Sequence, residues 1–152
     1  MITIIENINF VEGIFLNTNE AENYLIDHPQ KENCKIINNE SASFPFFIVE
    51  YVFGKFDYCF TKEELIDYIK NIDKSKLQKS KYTIFSSNSN NIERKEDLDI
   101  TVYLIRNPFV SNNKNNDTMG WMEHDHIREN EIDEIKNGNT EKLFVLKWFD
   151  RK

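Results

Sequence analysis

The run from Phe46 to Phe60 constrains the fold more than any other part of the chain. Residues 46–53 are mostly aromatic and β-branched, Gly54-Lys55 follows, and residues 56–60 are again largely aromatic. Two such runs around a two-residue turn with glycine at its first position predict a β-hairpin. Because the two strands of a hairpin are antiparallel, this segment indicates an antiparallel sheet.

An amphipathic helix is predicted directly after the hairpin. Thr61-Lys-Glu-Glu64 has the capping-box pattern, and Leu65, Ile66, Ile69 and Ile72 then recur at helical spacing. We therefore predict a helix over 62–73 that packs on the sheet. Further strands are predicted over 2–5, 10–16, 34–38, 82–85, 99–105 and 143–149, with one short helix before Pro29 and another that stops at Asn137-Gly138.

This order of elements predicts an α+β protein with a mostly antiparallel sheet and two or three helices packed on one face. The chain has 152 residues, and it shows no internal repeat and no shift of composition that would mark a boundary. A chain of this length buries about 68–70% of its unfolded surface. We therefore expect residues 1–152 to form a single domain.

Common catalytic motifs are missing from the sequence. It contains no phosphate loop, no dinucleotide-binding glycine pattern, no nucleophile elbow and no HExxH. Cys34 and Cys59 lie 25 positions apart, and neither has the local signature of a nucleophile paired with a histidine. No secretory signal and no long apolar run occurs, so we expect a cytoplasmic protein with reduced thiols.

A dense polar group, Glu123-His124-Asp125-His126, precedes the last predicted helix. In an extended chain both imidazoles would project to the same side and would suit a divalent metal, whereas in a helix they would diverge by about 200°. A third ligand is missing nearby, since His28 is distant in sequence. We therefore predict no metal here and expect Asp125 to be a helix N-cap. A small enzyme or metal-dependent protein that uses these four residues stays open as an alternative.

Charge is concentrated in residues 117–134, which carry seven acids and only Arg128 as a base, a local net charge of −6. Such a field repels nucleic acid and attracts basic partners. Trp121 lies beside Met119, Gly120 and Met122 in a predicted loop, a composition typical of an adaptable apolar contact. The alternative is that these acids complement a helix dipole and only solubilise an exposed face.

The chain is small, acidic with a net charge of −7, and free of catalytic signatures. In this general character it resembles bacterial immunity proteins that neutralise basic toxin domains. The resemblance implies a non-enzymatic binding or inhibitor protein that covers a basic protein partner and needs no cofactor, nucleic acid or membrane. The predicted partner-binding residues are Trp121, Glu123, Asp125, Glu129, Glu131, Asp133 and Glu134. A further alternative is an oligomeric accessory protein that associates through a sheet edge or the hairpin.

Overall fold

The structure is a computed structural model that describes residues 1–52, 54–77, 79–85, 92–111 and 123–151. Within these ranges the strands are β1 Ile2–Asn7, β2 Phe10–Phe15, β3 Cys34–Asn39, β4 Phe46–Val52, β5 Lys55–Cys59, β6 Lys79–Phe85, β7 Ile92–Ile105, β8 Phe109–Val110 and β9 His124–Arg128. The helices are α1 Thr18–Leu25, α2 Lys62–Lys70, α3 Glu129–Lys136 and α4 Phe144–Phe149. Two short 3-10 turns span Lys31–Asn33 and Lys74–Lys76.

The strands form two sheets, and every pairing between described strands is antiparallel. One sheet has the order β3-β1-β2-β8, and the other has the order β5-β4-β7-β6 with β9 also paired to β7. The predicted α+β class with antiparallel pairing is confirmed. The strands are divided between two sheets, which the prediction of a single sheet did not include.

The two sheets pack face to face and helices cover their outer faces, so the described elements form four layers. Phe46 and Ile48 of β4 point into the core between the sheets, whereas Phe47 and Val49 point into the core beneath α2, α3 and α4. On the other side of the molecule, α1 packs on the outer face of the four-stranded sheet. A strand that is buried on both faces has no polar face, which explains the continuous apolar run at the start of β4.

The predicted hairpin is confirmed as β4 and β5. Gly54 has φ +77°, a conformation that L side chains rarely adopt, and an added Cβ would lie 3.2 Å from the carbonyl oxygen of Asn9. Glycine is therefore required at this turn both by its backbone angle and by the close approach of the neighbouring chain.

The predicted helix after the hairpin is confirmed as α2, which ends three residues earlier than expected. The Thr61 side chain accepts a hydrogen bond from the Glu64 amide at 3.0 Å, and the Glu64 carboxylate accepts one from the Phe60 amide. Leu65 and Ile69 are fully buried against the larger sheet. The helix is thus defined at its start by local hydrogen bonds and along its length by one apolar face.

The prediction of a strand over 143–149 is wrong, because this segment forms α4. In a strand Lys147 would share a face with buried Val145, at a period of two. The helix instead places Lys147 beside exposed Phe144, with its ammonium 5.4 Å from the ring centroid, while Leu143 and Val145 are buried. Short apolar runs do not distinguish the two structures by periodicity.

Candidate functional site

The predicted histidine pair lies on β9, which pairs with β7. His124 and His126 are exposed on one face of this strand, and Asp125 and Ile127 are buried on the other. The two imidazole rings are 5.7 Å apart between centroids and nearly perpendicular. The segment is therefore extended, and the two histidines project to the same side.

The other members of the Glu123-His124-Asp125-His126 group do not join the histidines at one point. Asp125 lies on the opposite, buried face, and Glu123 forms ion pairs with Arg106 at 2.8 Å and Arg151 at 3.2 Å. His126 Nδ1 lies 3.1 Å from the Thr101 hydroxyl. Among the described residues, these side chains are not part of any cluster of three metal-ligating groups.

The prediction that Asp125 is the N-cap of the helix that follows is wrong, because Asp125 lies on β9 and the N-cap residue of α3 is Arg128. α3 begins after Arg128 without a side-chain cap, whereas Asp125 Oδ2 accepts a hydrogen bond from the Val145 amide at 3.4 Å, in the first turn of α4. Burial raises the pKa of Asp125 above its usual value. This predicted partner-binding residue is therefore a buried structural group in the free protein.

We expect Asp125→Asn to be more stable than the wild type at pH 7, because the amide keeps an acceptor for Val145 and removes a buried charge. An aspartate whose pKa is raised by folding destabilises the fold as pH rises through that value. The advantage of the variant should thus disappear well below the ordinary aspartate pKa of 3.8. Denaturant melts at neutral and acidic pH measure this, and a less stable variant at pH 7 would contradict it.

Several acids of the predicted acidic surface have cationic neighbours from distant parts of the chain. Lys74 Nζ contacts Asp133 and lies 3.5 Å from Glu129, while Glu131 and Glu134 lie half-buried on α3. Pairs this exposed contribute little stability and are screened by salt. The neighbouring cations nevertheless make the local electrostatic potential less negative than the sequence alone indicates. Trp121 lies outside the described residues.

A second acidic surface lies nearby, in a cleft of about 820 Å³ between β5, α2 and the 3-10 turn at 74–76. Its walls carry four carboxylates against one lysine, together with four aromatic rings. The charged side chains are Asp57, Glu64, Asp67, Asp73 and Lys76, and the rings are Tyr51, Tyr58, Phe60 and Tyr68. We call this the acidic cleft. It combines negative charge with amphipathic aromatic surface.

Helical spacing explains how α2 supplies one wall of the acidic cleft. Glu64, Asp67 and Asn71 recur every three or four residues and line the cleft, whereas Leu65 and Ile69 are buried in the core. Residues three and four apart share a helix face. The same amphipathic pattern that predicted the helix therefore also orders the acids on its outer side.

The opposite wall is the edge of a sheet. β5 is the terminal strand in its sheet, and the consecutive residues 57–60 all line the cleft. Side chains alternate between the two faces of a strand. The three lining residues of β5, at 57–59, therefore come from both faces of the strand, which indicates that its backbone edge faces the cleft.

Hydrogen bonds hold two of the cleft tyrosines in place. The Tyr68 hydroxyl donates to Asp57 Oδ2 at 2.8 Å, and the Tyr58 hydroxyl donates to Glu6 of the neighbouring sheet. Burial and these carboxylates raise the pKa of both phenols, so both are neutral donors at neutral pH. The rings form a pre-organised surface with little side-chain entropy to lose on contact.

Neither cysteine is an activated nucleophile. Burial, with the negative charge of Glu12, raises the pKa of Cys34 to about 11, and burial raises that of Cys59 to about 12. A thiolate is the reactive form of cysteine. Both thiols are therefore protonated at neutral pH.

Comparison of the chain with protein-family models, with curated proteins and with solved structures finds no match. Among the described residues, no helix is both long enough and apolar enough to span a membrane.

The acidic cleft was missed by sequence reasoning. The relevant signal was present in Glu64 and Asp67 on the polar side of the predicted helix, next to a predicted strand with Asp57. The sequence pattern predicts the helix from its capping box and apolar face, but nothing local indicates that a helix and an edge strand enclose a cleft.

Proposed function

We propose that the protein is a non-enzymatic binding protein that covers a basic protein partner, such as a toxin domain, and that the contact is centred on the acidic cleft. The observation that carries the proposal is the composition of this cleft, four carboxylates and four aromatic rings against one lysine. Charge complementarity steers association, and aromatic anchors supply much of the binding energy in protein interfaces.

The predicted acidic segment extends this surface. Asp73 lines the cleft, and the next residue, Lys74, contacts Asp133 of α3. The 3-10 turn therefore lies between the cleft and the acids of α3. In the proposal, Glu129, Glu131, Asp133 and Glu134 form one flank of the contact, and Trp121 stays its proposed apolar anchor.

The exposed edge of β5 gives the proposed contact a specific geometry. An edge strand presents unpaired N–H and C=O groups to which an extended segment of a partner can hydrogen-bond. Lysines or arginines that alternate along such a segment would face Asp57 and Asp67 across the cleft. We therefore expect the partner to insert a basic, extended segment beside β5.

A cytoplasmic setting belongs to the same proposal. Both cysteines are free, and neither Cys34 nor Cys59 forms a disulfide. Reduced thiols are the rule in the cytosol.

Capture of partners from cells of the source organism by the immobilised protein tests the proposal. We expect a captured partner with a basic surface whose association rate falls as ionic strength rises, because charges separated by more than about 8–10 Å are screened at physiological salt. An acidic partner, or an association rate independent of salt, would remove the physical support for the proposal.

A further inference from the structure

Three side chains with different ligating atoms converge next to α1. This place lies on the opposite side of the molecule from α2, the helix that forms one wall of the acidic cleft. Glu12, His28 and Cys34 each offer one ligand atom, and these atoms lie within 4.8 Å of one another. Glu12 is fully buried, and the His28 side chain is only 6% exposed. Cys34 is half-buried, so the cluster is a set of oxygen, nitrogen and sulfur donors that is largely shielded from solvent.

A β-bulge directs Glu12 into this cluster. β1 pairs Ile5 with Gly13 and Glu6 with Val11, so Glu12 is the extra residue of β2. Bulges bend a strand and re-aim a side chain, and they recur near functional sites. Cys34 arrives from the other side of β1, where it pairs with Asn7.

Neighbouring groups hold the ligands in place. Asn7 Nδ2 and the Tyr24 hydroxyl each donate to a Glu12 carboxylate oxygen at 2.9 Å. The Gln30 backbone N–H donates to His28 Nδ1 at 2.9 Å, and His28 Nε2 contacts Glu12 Oε1. The bonds from Asn7 and Tyr24 to Glu12 are of the kind that orient ligands in metal sites, where their loss typically costs about 10–100-fold in affinity.

We propose that Glu12, His28 and Cys34 bind a zinc-class divalent ion, with water in the fourth position. Carboxylate oxygen, imidazole nitrogen and thiolate sulfur are the ligands that zinc takes. Zinc–ligand bonds of about 2.0–2.3 Å place tetrahedral ligand atoms about 3–4 Å apart. The observed spacing therefore needs only small side-chain movements. This inference is independent of the proposed partner contact.

The existing hydrogen bonds define what changes on binding. The Cys34 thiol now donates toward Glu12 Oε2 at 3.7 Å and the Gln30 carbonyl at 3.5 Å. The zinc–sulfur bond forms as this S–H bond breaks, and one proton passes to solvent. His28 binds zinc through Nε2 and then carries its proton on Nδ1. The backbone N–H of Gln30, which lies in an exposed loop, must then move away from Nδ1, because a protonated Nδ1 can no longer accept its hydrogen bond.

Titration of the chelator-treated, full-length protein with Co²⁺ and then Zn²⁺ tests the site. We expect one equivalent of cobalt with a sulfur-to-cobalt charge-transfer band in the near ultraviolet, and its displacement by zinc. The band should be lost in Cys34→Ala and His28→Gln, but kept in the matched controls Cys59→Ala and His126→Gln. Tyr24→Phe keeps all three ligands and should weaken zinc binding by about 10–100-fold.

Measurements on the wild-type protein alone can overturn the inference. No cobalt band and no bound zinc at stoichiometric concentration would show that the cluster is only a hydrogen-bonded core. A band that persists in Cys34→Ala and disappears in Cys59→Ala would equally refute it. Circular dichroism of each metal-free variant separates loss of a ligand from loss of the fold. Partner binding does not enter any of these readouts.

Discussion

Association with the basic partner is expected to slow by about 10–10³-fold at low ionic strength when the charge of the acidic cleft is reversed. The variant combines Asp57→Asn, Asp67→Lys and Asp73→Asn, which changes the lining from four acids and one lysine to a net positive surface. Asparagine keeps side-chain acceptors for the Tyr68 hydroxyl and for Ser75, to which the two aspartates now bond. The change therefore acts on charge and not on the local hydrogen bonds.

The matched control for this variant is Glu20→Lys with Glu22→Lys. Both residues are exposed on α1, and the double change raises the net charge by the same four units. If only total charge matters, both variants slow association equally. Surface plasmon resonance over a salt series distinguishes the two, and equal rates for the cleft variant and the wild type would contradict a role for the cleft.

The second large effect concerns the fold that forms the cleft. Ile69→Ala is expected to lower the free energy of unfolding by about 2–5 kcal/mol, because Ile69 is fully buried between α2 and the larger sheet. Ile66→Ala on the same helix is the control, since Ile66 is only half-buried, and its loss should be smaller. Denaturant melts measure both. A loss below about 0.5 kcal/mol for Ile69→Ala, the level of ordinary surface changes, would contradict this packing.

Local signals explain which parts of the fold the sequence predicted. The hairpin turn at Gly54 and the cap at Thr61 each depend on residues within a few positions of one another. By contrast, α4 begins where Asp125, twenty positions earlier, accepts a hydrogen bond from Val145. Tertiary contacts of this kind decide between helix and strand in a short apolar run.

The candidate site was harder to predict than the fold, because its side chains are brought together by contacts between residues that are distant in sequence. The net charge of residues 117–134 is evident from the sequence, but Lys74 and Arg106 lie close to Glu129 and Glu123 only after folding. Likewise the Glu12, His28 and Cys34 cluster is drawn from β2, the loop after α1 and the start of β3. The spacing of these residues along the chain indicates neither arrangement.

Amide hydrogen exchange of the protein, free and in complex with its captured basic partner, tests the role of the acidic cleft most directly. Unpaired amides of an edge strand exchange with solvent until another strand covers them. We predict slower exchange in the complex over β5 at Lys55–Cys59 and over α2 at Lys62–Lys70, the two walls of the cleft. Protection confined to α1 and the four-stranded sheet, with β5 and α2 unchanged, would contradict the account.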